Sequence, residues 1–249
     1  MKKWMSAFIT LTTLPALATE ISSPFYQPSM GHIVSQTSAL YTKHKIKGTP
    51  TTRTYRRDLG ERITLGLGAG LAALIEGNLD WTRQKQIFTQ KIPHTKTYAA
   101  GLTGVGCFEG ILVQLGALYR QTTNVIFEPR REIEAQMRLG KQLKTMTPYL
   151  HLNAHFPLNA RKEFNTPVYR AETGVFQSVN KAMTLDTALY LQYDKNIQER
   201  AYGIRAEWAY LVTSSIAFSL NGEWQARGHA PGNTRTYHQA IGTKITFHF

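Results

Sequence analysis

The chain ends in IGTKITFHF, with Ile241, Thr243, Ile245, Phe247 and Phe249 on one parity and Gly242, Lys244, Thr246 and His248 on the other. Large apolar residues on one parity up to the last residue predict a strand that is paired to its end and apolar on one side. The same alternation recurs along the chain. RITLGLGAGL sets Ile63, Leu65, Leu67 and Leu71 against Thr64 and three glycines. GILVQLGALYRQ sets Ile111, Val113, Leu115 and Tyr119 against Gln114 and Arg120. REIEAQMRLG, YLHLNAHFPL, LDTALYLQYD, AYGIRAEWAY and SIAFSLNGEWQA repeat the pattern. A helix would need apolar residues at i, i+3, i+4 and i+7, and none of these windows fits that spacing as well.

Between the alternating windows, short and long connections take turns. Short ones are expected at residues 75–78, 107–109, 144–147, 179–182 and 212–214. Longer, more polar ones are expected at residues 45–59, 89–94, 123–129, 159–166, 194–199 and 228–235. Strands long enough to cross a bilayer, short turns alternating with long loops, and a polar second face predict an all-β fold. It is a transmembrane antiparallel up-and-down β-barrel of about 12 strands, within a range of about 10 to 14. Tyr202 and Tyr210 lie on one outward face, ~27 Å apart along a strand, so their rings reach opposite membrane interfaces. Trp81, Tyr98, Tyr119, Tyr193, Trp208, Trp224 and Phe247 are expected in the same aromatic girdles.

Composition agrees with alternation. Mean hydropathy is −0.29, yet only 18% of residues are charged. No stretch is long and apolar enough for a spanning helix. Cys107 is alone, which excludes a disulfide framework. The start, MKKWMSAFITLTTLPALATE, has a charged opening, a short apolar run and a small-x-small ending, the pattern of a secretory signal peptide. Cleavage is expected near Ala18, giving a leader over residues 1–18, a periplasmic tail over 19–32 and a barrel over 33–249. Within the tail, Pro24, Pro28 and Gly31 break any strand, and a short insert into the lumen is the alternative.

The final Phe247-His248-Phe249, with Phe at the carboxyl terminus, resembles the C-terminal signature of Gram-negative outer-membrane β-barrels. The resemblance implies a bacterial outer-membrane location and recognition of Phe247 and Phe249 by the barrel insertion machinery. By size and strand count the chain is also similar to small twelve-stranded acidic-sugar porins and to outer-membrane phospholipase. No motif carries residues over from either. A soluble periplasmic β-sandwich or lipocalin-like barrel is the fold alternative, with shorter strands and the apolar face turned inward.

Parity points thirteen candidate polar side chains into the lumen. The basic ones are Arg120, Arg138, Arg170, Arg205 and Lys244. The acidic ones are Glu132, Glu134, Glu172, Asp186, Glu207 and Glu223, joined by His151 and His155. Opposite charges at Arg170/Glu172 and Arg205/Glu207 fit either a salt-bridged filling or a channel with a transverse field. His151 and His155 sit four residues apart on a strand, ~13 Å, too far to share one zinc ion. GLGAG lacks the spacing of a phosphate loop and has no helix after it. No metal, cofactor or catalytic set is expected, and no enzyme. A phospholipase-like site would need a Ser beside a His on the lipid face.

Without Lys2 and Lys3 there are 27 basic residues against 16 acidic. The excess falls in and beside the long connections. Lys45, Lys47, Arg53, Arg56 and Arg57 form one group, and Arg130, Arg131, Arg161, Lys162, Arg227 and Arg235 another. This basic extracellular rim is expected to meet lipopolysaccharide phosphates and other outer-membrane lipids, and to draw in anionic solutes. Nucleic acid is not an expected partner, since no aromatic stacking platform accompanies the charge. The function these features suit is passive passage of small polar, anionic solutes. The alternative is a non-conducting adhesin or structural barrel.

Overall fold

The structure, a computed structural model, describes residues 23–47, 52–85, 94–124, 129–158, 167–195, 199–228 and 235–249. Twelve strands follow in order: β1 (Ile33–Lys47), β2 (Thr52–Gly68), β3 (Leu71–Lys85), β4 (Thr95–Phe108), β5 (Ile111–Asn124) and β6 (Arg130–Lys141). The second half is β7 (Met146–Pro157), β8 (Val168–Ser178), β9 (Met183–Asp194), β10 (Glu199–Thr213), β11 (Ile216–Gly228) and β12 (Arg235–His248). Each strand pairs antiparallel with its neighbours in sequence, and β1 pairs with β12, so the sheet closes. Closure satisfies the backbone groups that an open edge would leave exposed.

The alternation becomes two faces. Large apolar side chains such as Ile75, Leu102, Leu115, Leu189, Leu191 and Ile241 are exposed on the outside. Charged and polar side chains fill the inside, and Glu172 there is only 3% exposed. This outside-in arrangement is that of a membrane barrel and not of a soluble one, whose apolar face would be buried. Exposed Tyr202 and Tyr210 lie toward opposite ends of β10. Tyr202 packs edge-on to Trp224, while Trp208 stacks on Tyr210. Trp81 meets His94, Phe247 stacks on Phe249, and Tyr98, Tyr119 and Tyr193 are exposed on outward positions.

Two connections differ from the sequence expectation. The first turn is at Ala69-Gly70, both with positive φ (50° and 73°), and residues 75–78 run through the middle of β3. Gly77-Asn78 has turn composition, but Asn78 points inward and donates to Glu76 Oε1 at 2.9 Å. Gly70 instead meets a local demand, since a Cβ there would strike the Val105 carbonyl. The second difference is the expected loop over residues 45–59. β1 continues to Lys47 and β2 begins at Thr52, with Lys45 opposite Arg53. The β-favouring alternation in TRTYRRDL extends this hairpin, and β2 reaches 17 residues.

Candidate functional site: a charged lumen and an inserted tail

The five short turns and the chain terminus share one end of the barrel; the long connections share the other. Of the tail expected over 19–32, residues 23–32 are described, and they turn into the short-turn end. The leader expected over 1–18 lies outside the described residues. Phe25, 5% exposed, packs edge-on against Tyr149 of β7 with ring centres 6.3 Å apart. It forms an apolar cluster with Tyr149, Phe176 and Ala188, and Leu112 borders it. Gly140 makes room, because a Cβ at that position would overlap the Phe25 ring. Gly66 does the same for the tail backbone at Pro28 and Ser29. Tyr26 Oη lies 2.8 Å from His248 Nε2, and Gln27 Nε2 donates to Thr103 Oγ1 at 2.7 Å. His32 stacks on His248 with ring centres 5.3 Å apart. The last residue is held too, Phe249 N to Ile33 O at 2.8 Å and Ile33 N to Phe249 O at 3.0 Å.

Beyond the tail, the inner wall is a network of ion pairs. Arg205 of β10 reaches Glu172 at 2.6 Å, Asp186 at 3.0 Å and Tyr149 Oη at 2.7 Å. Tyr149 in turn donates to Asp186 at 2.8 Å. Arg170 approaches Glu172 at 3.1 Å and lies over the Tyr190 ring, 3.8 Å from its centre. Tyr190 donates to Glu223. Across the lumen, Arg120 reaches Glu134 at 2.6 Å and Glu76 at 3.3 Å, and Arg62 reaches Glu76 at 2.7 Å. Glu132 meets Arg130 at 3.0 Å and His155 at 3.1 Å. Lys244 meets Glu207 at 2.5 Å. The thirteen sequence-nominated lumen residues lie on inward positions of β5 to β12, His151 joined to Arg138 at 3.4 Å.

The lining borders an open cavity of about 560 Å³ whose wall includes Arg120, Glu132, Glu134, Arg138, Asn153 and Arg170. A barrel of twelve strands is wider than one of eight, whose interior side chains can fill. The space that is left is polar and large enough for water and small solutes.

Sequence reasoning missed some of this lining. Glu76 was hidden because residues 75–78 read as a turn, and Arg62, which shares the polar parity of Thr64, was missed with its partner. Tyr149 and the tail residue Phe25 carried no charge to mark them. Three arginines of the expected rim have acidic or amide neighbours. Arg56 turns to Asp58 at 2.7 Å and Asp80 at 2.9 Å, Arg130 to Glu132, and Arg227 to Gln225 at 2.8 Å and Glu199 at 3.8 Å. These three arginines are therefore partly neutralised by inward carboxylates. Arg57 and Arg131 are exposed and Lys45 is half-buried. Lys47, Arg53 and Arg235 belong to the paired strand ends, while Arg161 and Lys162 lie outside the described residues.

No family model matches the chain, and no curated protein matches it in sequence. Solved structures match it in shape. An outer membrane channel from Pseudomonas putida F1 superposes with a TM-score of 0.69 at 11% identity, covering 95% of this chain and 100% of that one. The fold is that of Gram-negative outer-membrane β-barrels. The NanC porin superposes at 0.53, with 13% identity, 84% of this chain and 98% of that one. The TodX monoaromatic hydrocarbon channel superposes at 0.52, with 7% identity and 94% of each chain.

Proposed function

We propose that this chain is a bacterial outer-membrane channel through which small polar solutes, anions by preference, diffuse passively. The observation that carries this reading is the charged cavity of about 560 Å³ inside a closed barrel that is apolar outside. Passive passage needs no reacting group, and most charged lumen side chains are engaged with one another as ion pairs. The shape likeness to proteins called channels and porins supports the same reading. One neighbour is named for an aromatic hydrocarbon, so the choice of solute has to come from this chain's own lumen. That lumen is polar, and the exposed Arg57 and Arg131 at the long-connection end add positive potential. In this reading the short turns face the periplasm and the long connections the cell exterior, where lipopolysaccharide phosphates meet the basic rim. Phe247 and Phe249 offer the final strand to the insertion machinery.

A second reading, a non-conducting surface barrel, draws on the inserted tail and the extent of the ion-pair network. Reversal potential separates the two. Purified protein in a planar bilayer, under a salt gradient, is expected to give discrete current steps with a reversal potential on the anion-selective side. Folded, inserted protein that passes no current would overturn the channel reading in favour of the second.

A further inference from the structure

Among the described residues, Arg56, Arg62, Arg120, Arg130, Arg170, Arg205 and Arg227, the other inward arginines of the lining, have a carboxylate within 3.8 Å. Arg138 of β6 does not. Its guanidinium donates to the Pro24 carbonyl of the tail, to Gln114 Oε1 at 2.8 Å, and to His151 Nδ1 at 3.4 Å. The Phe25 and Tyr149 rings flank it, 5.8 and 5.7 Å from its central carbon. So the tail supplies a neutral oxygen where the rest of the lining supplies an anion.

Two buried donors beside Arg138 are unfilled. Its own Nε is buried without a partner. An arginine can only donate, so His151 Nδ1 accepts and the ring hydrogen sits on Nε2. His151 Nε2 is also buried without a partner. Unmet buried donors are uncommon and need an explanation. Around them, Arg138, Arg170 and Arg205 stand against Glu172 and Asp186, an excess of one positive charge. Both Arg138 and His151 line the cavity.

We propose that Arg138, with His151, is the recognition point for a small carboxylate-bearing solute in the lumen, and that the Pro24 carbonyl occupies this point until such an anion displaces it. This deepens the channel reading and rests on solutes entering the lumen. A carboxylate can take two parallel N–H bonds from a guanidinium and carries full charge. The carbonyl has neither advantage. Once the carboxylate holds Arg138, the tail loses its charged anchor, and only the weaker contacts of Phe25, Tyr26 and Gln27 still oppose its leaving the wall. Binding of the solute and release of the tail are thereby coupled.

The test labels the tail. In the Cys107→Ser background, Gln27→Cys carries a thiol whose reaction with a maleimide reports release from the wall. Glycolate is the probe, with ethylene glycol and sodium chloride at matched ionic strength as controls. Glycolate is expected to speed labelling on the order of fivefold, the controls leaving it unchanged. Arg138→Gln is expected to label fast with or without glycolate, and Arg138→Lys to keep only a weakened response. Each variant is first shown to be folded by its heat-modifiable migration in gels. Equal labelling with glycolate and with the controls in the parent would overturn the proposal and leave Arg138 as a structural clamp. Labelling does not depend on current. A silent bilayer with a positive labelling response would sink the channel reading alone, and normal conductance with flat labelling would sink this inference alone.

Discussion

At the scale of single residues, the lumen works by mutual compensation. Glu172 is almost wholly buried, and Arg205 joins it to Asp186 and Tyr149. Removing one partner of a buried pair leaves the other charge unsatisfied, while a wet lumen softens the penalty. Arg205→Met is therefore expected to lower the stability of the folded barrel by about 3 kcal/mol, read from urea unfolding in lipid vesicles. Adding Glu172→Gln to it is expected to recover part of the loss, and full additivity would contradict the pairing. Most of this lining was legible from parity alone, because every second position of a strand shares a face. Which residues pair across the lumen was not legible. Arg120 finds Glu76, 44 positions away, because both stand in register with Ala99 of the intervening β4, whose small side chain leaves room between them.

At the scale of elements, the strands were readable and the tail was only half so. Period-2 patterning shows a strand wherever one face is apolar. It shows nothing for residues 23–32, whose docking depends on spaces made elsewhere by Gly66 and Gly140. The turn at Ala69-Gly70 was misplaced because GLGAG keeps the alternation on either side of it, while Gly77-Asn78 mimics a turn. Gly66 provides a specific handle on the tail. A side chain there meets backbone atoms of Pro28 and Ser29, which cannot rotate aside. Gly66→Val is expected to push the tail from the wall, increasing cleavage near residues 23–30 by added protease several-fold while the barrel stays resistant. An unchanged tail cleavage rate would show that the tail is held by other contacts.

At the scale of the whole molecule, closure joins the first strand to the last residue. Phe249 exchanges two backbone hydrogen bonds with Ile33, and its ring stacks on Phe247 at 6.2 Å. If the terminal Phe serves as the insertion signal proposed above, deleting Phe249 is expected to reduce the yield of heat-modifiable, folded barrel in cells while leaving refolding in detergent largely intact. Equal yields in cells would remove the role given to the terminal Phe. In the proposed reading, the apolar exterior, polar interior and inserted tail make a conduit narrowed at one mouth. Paired single-channel recordings of the intact protein and of a variant lacking residues 23–31 test that most directly. The account predicts small anion-biased steps for the intact protein and clearly larger steps for the shortened one. Equal conductance in the two, or silence from both when folded and inserted, would contradict it.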